Sequence, residues 1–326
     1  MIFALAITGP TASGKTALSI ELAKRLSGEI ISCDSMQIYR EMSIGTAKPT
    51  EEERAIVAHH LIDFLSPLES FSAERYRECA LEAAKDISSR GKLPVFVGGT
   101  GLYIDSVMRS SVAESPESDP EYRKRLLDTV KSEEDALVLW ERLRSVDAES
   151  AEKIHRNNVK RVIRALEIYE KTGKSKSEFD RKSKSLSSEI SVGMITLDFH
   201  DRENLYRRAD QRVDIMLKEG LLEEVISLYN RGLLDGATAS QAIGYKELLT
   251  YVRGEKTLEE ATEDLKTATR RYAKRQLTWF RRYPDALRLY PDTEDGVMKR
   301  GNDIFSEAMT AAERLINENR LKNAER

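Results

Sequence analysis

The chain has 326 residues, 52 Lys and Arg against 55 Asp and Glu, a formal net charge of −3, and hydrophobic and charged fractions of 40% and 33%. This describes a soluble, charge-rich globular protein with an ample core and room for one large domain or two smaller ones. It excludes nucleic-acid binding by bulk charge, so any such partner must be met by local clusters. Cys33 and Cys79, the two cysteines, cannot build a disulfide framework or a zinc site, which points to a reducing cytoplasm. No apolar run is long enough to span a bilayer, and the apolar start is too short for a signal peptide and lacks its basic flank.

The apolar run Phe3–Thr8 reads as a buried strand and Ala17–Ala23 as a helix. Between them stand Gly9, Pro10, Thr11, Ala12, Ser13, Gly14, Lys15 and Thr16, which fit G-x-x-x-x-G-K-[ST]. A strand, a glycine turn and a helix start aim backbone N–H groups and the positive end of the helix dipole at one phosphate-bearing ligand. Lys15 is expected to reach the terminal phosphate and the Thr16 hydroxyl to hold Mg²⁺. A glycine turn without a ligand is the plainer alternative, and the flanks argue against it. The cradle does not reveal what the phosphate is attached to.

Further short runs at Glu29–Cys33, His60–Phe64, Pro94–Val97, Met194–Phe199 and Ala286–Leu289 alternate with helical patterns. They predict the α/β class, a P-loop NTPase-like parallel sheet flanked by helices. Between Val97 and Met194 no strand is evident. Tyr122–Ser145 and Ala151–Thr172 carry helical periodicity there, bracketed by the polar joints Ala113–Pro120 and Gly173–Glu189. The expected organisation is a P-loop core over residues 1–113 and 191–326 with an all-helical insertion over 114–190. The polar C-terminal stretch from Arg314 carries no functional assignment.

Asp34 follows the second strand. Ligands of open parallel sheets bind outside the carboxyl ends of the strands, so Asp34 should face whatever lies beside the cradle, where a carboxylate suits a general base. A turn former or helix cap is the plainer alternative. Val97–Gly101 reaches the same rim and brings the Thr100 hydroxyl. From Lys266 to Tyr283 there are seven basic residues and no acidic one. At helical spacing Arg270, Arg271, Lys274, Arg275, Arg281 and Arg282 share one arc, opposite Tyr272, Ala273, Leu277, Trp279, Phe280 and Tyr283. The apolar arc is expected on the core and the basic arc toward a polyanion, unless the acidic stretch Leu258–Asp264 balances it. Residues 151–182 add ten basic against five acidic side chains. Two separate basic surfaces suggest a large folded polyanion. Arg208 and Arg212, one helical turn apart, form a pair able to close over a phosphate.

Several stretches together resemble the tRNA dimethylallyltransferase (isopentenyl-diphosphate:tRNA transferase) family. They are Gly9–Thr16, Asp34–Pro49 (DSMQIYREMSIGTAKP), His59–Asp63 (HHLID), Val97–Ile104 (VGGTGLYI), Arg164–Tyr169 (RALEIY), Ala242–Glu247 (AIGYKE) and Ala273–Arg281 (AKRQLTWFR), in family order. The resemblance implies transfer of a dimethylallyl group from dimethylallyl diphosphate to N6 of the adenosine 3′-adjacent to a tRNA anticodon. The chain is expected to be monomeric, with no membrane partner, and its cysteine usage to place it in the cytoplasm. No DDxxD-like stretch exists to hold a prenyl diphosphate, so the cradle and Mg²⁺ are expected to hold it. Asp34 would take the proton from the adenine amine, while Thr100 and Arg212 stabilise the leaving diphosphate. The resemblance places tRNA contacts at Asp34, Ser35, Met36 and Gln37, at Thr100 and Arg123, at Lys160, Arg161, Val162, Ile163 and Arg164, and at Gln241, Ala242, Ile243, Gly244, Tyr245 and Lys246. The chain departs from the family at His155–Val159, where His-Pro-Asn-Asp-Pro is common. The rival readings are a P-loop kinase of a nucleotide or small metabolite, a prenyltransferase of free adenine nucleotides, and a non-enzymatic RNA-binding NTPase.

Overall fold

The computed structural model describes residues 1–108, 119–184, 189–236 and 238–324. Two compact units are present, one made of Met1–Met108 with Ile190–Arg326, the other of Arg109–Glu189. Parts of both polar joints, residues 113–118 and 185–188, lie outside the described residues, as does the expected boundary at 113/114.

The first unit runs β1 (Ile2–Thr8), α1 (Lys15–Arg25), β2 (Gly28–Ser32), α2 (Glu51–Ile56), β3 (His59–His60), α3 (Ala73–Ser89), β4 (Leu93–Gly98) and α4 (Gly101–Met108). The second unit holds α5 (Pro120–Asp128), α6 (Glu133–Val146), α7 (Ala148–Lys153), α8 (Val159–Thr172) and α9 (Lys176–Lys184). The chain then returns to the first unit with β5 (Ile190–Leu197), α10 (Arg202–Lys218), α11 (Leu221–Asn230), α12 (Tyr245–Val252), α13 (Leu258–Phe280), β6 (Leu287–Leu289) and α14 (Gly301–Ala324).

All six strands are parallel, in the order β3-β2-β4-β1-β5-β6. β1 is central, with Thr8 opposite Gly98 on one side and Thr196 on the other. Its alternation splits the core: Ala4 and Ala6 meet Tyr76, Ala80 and Ile104 of α3 and α4, while Leu5 and Ile7 meet Leu18, Leu22, Ala308 and Ala312 of α1 and α14. A third apolar cluster gathers Ile38, Tyr39 and Met42 with α10 to α13.

Local chemistry explains where the expectations miss. The third strand is two residues long because Leu61 (φ 60°) and Asp63 (φ 58°) are left-handed, which no strand accommodates. Tyr122–Ser145 divides because Ser132 starts a new helix by a capping box with Asp135, and Ala151–Thr172 divides at Ile154–Asn158. The second unit closes around Tyr122, Leu126, Leu139, Leu143, Val162, Ile163 and Leu166. Its Glu167 is fully buried and satisfied by Arg164 Nη1 (2.6 Å), Arg123 Nε (2.9 Å) and the Asp119 amide (2.5 Å).

Candidate active site

The cradle spans the turn from β1 into α1. Gly14, the residue before α1, has φ 93° and aims the first helical amides into the turn, while Ala12 is held left-handed at φ 61°. Strain of about 1–2 kcal/mol at an alanine persists only where neighbours over-determine it. Two do so here: Arg208 Nε donates to Ala12 O at 2.7 Å, and the Thr11 amide donates to Gln276 Oε1 at 2.8 Å. The Gln276 Nε2 donates onward to Gly99 O at 3.0 Å, so one buried amide ties the cradle to the end of β4. Lys15 Nζ donates back to Pro10 O at 2.5 Å. Burial first, then the Arg212 guanidinium, lowers the Lys15 ammonium to about 7, with Asp34 opposing. Among the described residues Ser13 Oγ is buried without a partner, an orphan suited to a ligand oxygen.

Asp34 stands just past the end of β2. The Cys33 amide donates to Val97 O (2.7 Å) and the Thr100 amide to Cys33 O (3.1 Å), a close approach that leaves no room for a Cβ at Gly98. Asp34 Oδ1 accepts from the Met36 amide at 2.9 Å, so the carboxylate is a turn former, and the residue also lines the cavities beside the cradle. Thr100 Oγ1 accepts from the Ser35 amide at 3.1 Å and fixes that turn.

Two cavities meet at Thr11, Asp34, Thr46, Arg212 and Tyr272. The smaller, about 80 Å³, runs back to Lys15 and Thr16 between Ile30, Ile62 and Val97. The larger, about 290 Å³, is lined by Ser35, Met36 and the Gln241–Gly244 turn with Lys246. A third, about 930 Å³, covers the outer side of the cradle and touches Lys15, Thr16, Arg208 and Arg212. Arg212 lines all three and has no ion-pair partner among the described residues. Burial lowers its pKa, against Asp34 and Glu219.

The structure therefore separates Arg208 and Arg212: the first braces the cradle backbone and borders the outer cavity alone, the second faces all three cavities. Other expected site residues also divide. Asp34, Ser35, Met36, Thr100, Gln241, Ala242, Ile243, Gly244 and Lys246 gather around the joined cavities or fix their rim. Gln37 lines the cradle cavity, with its amide engaged by Ser32 Oγ (3.0 Å), Thr46 O (3.3 Å) and Ala47 O (3.1 Å). Three expected contacts need correction. Tyr245 is fully buried and donates its hydroxyl to Glu224, and Val162 and Ile163 are core residues of the second unit, so none of these side chains is open to RNA. Arg123 and Arg164 are paired with Glu167, whereas Lys160 and Arg161 are exposed and have no ion-pair partner among the described residues.

The basic arc of α13 is also smaller than the sequence suggests. Arg270 pairs with Asp210 and Lys266 with Asp214; the helix ends at Phe280, and Arg281 and Arg282 turn back to Asp198 and Asp105. Arg271 and Lys274 remain exposed and unpaired among the described residues, and Arg275 lies over the Tyr272 ring. Tyr272 itself is not core: its hydroxyl sits beside Thr100 and Gln276, and burial and the Asp34 carboxylate keep it protonated. Gln276 and Tyr272 are absent from the sequence-predicted site. The available signal was a lone glutamine on the apolar side of α13, beside Ala273, Leu277 and Phe280.

A glycine turn at the carboxyl end of the central strand of a parallel sheet, beside two cavities that meet at a carboxylate, defines a P-loop-like α/β protein of the class that places its site at the strand ends. The family model described as IPP transferase matches residues 37–283, beginning after the cradle, so this match does not depend on the phosphate motif. The chain belongs to the IPP transferase family. It is 50% identical over 281 residues to the tRNA dimethylallyltransferase of Thermoanaerobacter sp. strain X514, covering 85% of this chain and 88% of that one. It is 50% identical over 294 residues to that of Acetivibrio thermocellus, covering 89% and 92%. The crystal structure of the full-length tRNA isopentenylpyrophosphate transferase of Bacillus halodurans is similar at a TM-score of 0.73 and 41% identity, over 99% of this chain and 100% of that one. A eukaryotic dimethylallyltransferase captured acting on tRNA is similar at a TM-score of 0.75 and 29% identity, over 95% and 85%. Among the described residues no helix is long and apolar enough to cross a membrane.

Proposed function

We propose that this chain transfers the dimethylallyl group of dimethylallyl diphosphate to N6 of the adenosine 3′-adjacent to the anticodon of tRNA, releasing diphosphate. The observation that carries this reading is the meeting of the cradle cavity and the acceptor-side cavity at Asp34, in a chain of this family. The diphosphate lies against the cradle amides, with Lys15 and Arg212 as its cations. Both become more effective as the C–O bond stretches and charge gathers on the leaving group. The target base leaves its stack and enters past Ser35, Met36 and the Gln241–Gly244 turn. Asp34 Oδ2 takes the proton from N6 as the C–N bond forms. Thr100 holds the turn that aims Asp34, and the Tyr272 hydroxyl stands at the same junction as a neutral donor.

Mg²⁺ fits this site. Among the described residues, the Thr16 hydroxyl faces the cavities with no protein partner, and no cluster of three or more acidic, His or Cys side chains is present to hold a metal by itself. Thr16 and the diphosphate oxygens would hold the ion, which supplies charge neutralisation for the leaving group. On the second unit, exposed Lys160 and Arg161 are among the basic side chains available to an RNA backbone.

The test is incubation of the protein with tRNA and isotopically labelled dimethylallyl diphosphate, followed by mass spectrometry of the nucleosides. Label on the adenosine beside the anticodon is expected. Label on no nucleoside, with ATP rather than dimethylallyl diphosphate protecting the chain from thermal unfolding, would return the site to a phosphoryl-transfer reading.

A further inference from the structure

Glu224, on α11, belongs to none of the motifs singled out from the sequence, yet its carboxylate is set into the turn after Met42. Oε2 accepts from the amides of Ser43 and Ile44, both at 2.9 Å; Oε1 accepts from the Gly45 amide at 3.1 Å and the Tyr245 hydroxyl at 2.6 Å. Three consecutive amides converging on one carboxylate form an anion nest, filled here from within the chain. On the other side of the segment Gln37 grips Thr46 O and Ala47 O, and Ala47 is left-handed at φ 44°. A strained alanine in a segment tied down at Ser43–Gly45 by Glu224 and at Thr46–Ala47 by Gln37 is a conformation the surroundings impose. The same segment is the wall shared by all three cavities. Thr46 and Ala47 line the cradle cavity, Gly45 and Thr46 the acceptor-side cavity, and Ser43, Ile44 and Ala47 the large outer one.

We propose that Glu224 is a positioning residue whose hold on Ser43–Ala47 keeps water from the allylic carbon, and so couples cleavage of the donor to prenylation of the acceptor. This rests on the transfer reaction proposed above. As the donor C–O bond stretches, its allylic carbon becomes electrophilic and water competes with the adenine amine. If water wins, its oxygen forms the new bond to carbon and diphosphate leaves with the electron pair of the old one. The proton lost by water passes to solvent, and dimethylallyl alcohol is made in place of the prenylated base. The shared wall separates the outer cavity, about 930 Å³ and open to solvent, from the compartment where this choice is made.

The experiment measures released diphosphate and prenylated adenosine in the same reaction, with the full chain, Mg²⁺, saturating tRNA and dimethylallyl diphosphate. For the intact protein the ratio is expected near one. Glu224→Gln turns an NH₂ toward amide donors, and the ratio is expected to rise to about three or more while prenylation slows roughly tenfold. Tyr245→Phe removes one donor from Oε1 and should move the ratio the same way by less. A merely structural lesion reduces the amount of active protein and lowers both products together, leaving the ratio at one. An unchanged ratio in folded Glu224→Gln overturns the proposal, as does an unchanged ratio in Tyr245→Phe should the first variant not fold. If the intact protein prenylates no adenosine, the transfer reading fails, and this proposal with it.

Discussion

Replacing Gln276 by leucine removes the link between the cradle and the end of β4. Leucine has nearly the same volume, so the packing beside Ala273 and Leu277 is kept and the polar loss stands alone. Two backbone groups lose their partner, the Thr11 amide (2.8 Å) and Gly99 O (3.0 Å). An orphaned buried group costs about 1–3 kcal/mol. Thr11 borders the cavities and can recruit water, so it falls at the low end, and a total of about 2–3 kcal/mol is expected for the pair. For a unit of this size that lowers the melting temperature by roughly 5–10 °C. The cradle should also relax, because the Thr11 amide is no longer aimed and left-handed Ala12 keeps only Arg208 as its brace. The expected kinetic result is a rise of about tenfold in KM for dimethylallyl diphosphate with KM for tRNA within about twofold. Gln276→Glu separates the two bonds, since it still accepts from Thr11 but sets a carboxylate against the Gly99 carbonyl. Thermal melts and steady-state kinetics on both variants provide the check. A leucine variant that melts within 1 °C of the parent (about 0.3 kcal/mol or less) and keeps its donor KM refutes the clasp.

Asp34→Asn keeps the acceptor for the Met36 amide and loses the base, so kcat should fall on the order of 10²-fold or more with both KM values nearly unchanged; near-normal kcat would leave Asp34 as a turn former only. Glu29 is 3% exposed and bonded to Arg90 (2.6 and 2.8 Å), Lys92 (2.7 Å) and His60 (2.8 Å). Arg90 foremost, then Lys92 and His60, hold its carboxyl well below the usual carboxylate range against the opposing effect of burial. A depressed folded-state value means stability that is fully present above the unfolded value of about 4.3 and is lost as pH falls below it. Glu29→Gln should therefore be less stable than the parent at pH 7 and approach it between about pH 4 and pH 2 in denaturant titrations; parallel stability curves would sink the assignment.

Legibility in the sequence follows the distance between partners. The cradle and Asp34 are readable because strand, turn and helix are consecutive, and chemistry carried by consecutive residues survives without knowledge of the fold. The six strands are readable from apolar runs, except that β5 begins at Ile190, four residues before the expected run, and β3 ends where Leu61 and Asp63 turn left-handed, for which neither residue type is a signal. Gln276 is not readable as a site residue, because the group it holds is Thr11, on the opposite end of the chain. Tyr272 falls on the apolar arc of α13 by angle alone, and only the position of Thr100 and Asp34 shows that its hydroxyl meets a cavity. Glu224 looks like one more surface acid of α11 until the Ser43–Gly45 amides are brought onto it. Val162, Ile163 and Tyr245 err in the other direction: a motif marks a stretch, and within a helix some positions of any stretch must face the core.

Charge counts mislead for the same reason, and this sets the size of the electrostatic effect expected on RNA binding. A basic residue contributes to the salt dependence of binding only if it neutralises a phosphate, releasing about 0.7–0.9 counterions for each contact. A side chain already paired within the protein has little charge to offer. On α13 and its C-terminal turn, Arg270, Arg281 and Arg282 are paired with Asp210, Asp198 and Asp105, while Arg271 and Lys274 are exposed and unpaired among the described residues. Arg271→Ala with Lys274→Ala should therefore flatten the slope of log K against log salt for tRNA by about 1.4–1.8. Arg270→Ala should leave that slope within about 0.3 and act instead on stability, because it strands the Asp210 carboxylate. The measurement is tRNA binding by the full-length variants between about 50 and 200 mM salt, the range over which counterion release dominates. Equal flattening by Arg270→Ala would mean that its pair with Asp210 opens on RNA and that the whole basic arc, as its spacing suggests, meets the polyanion.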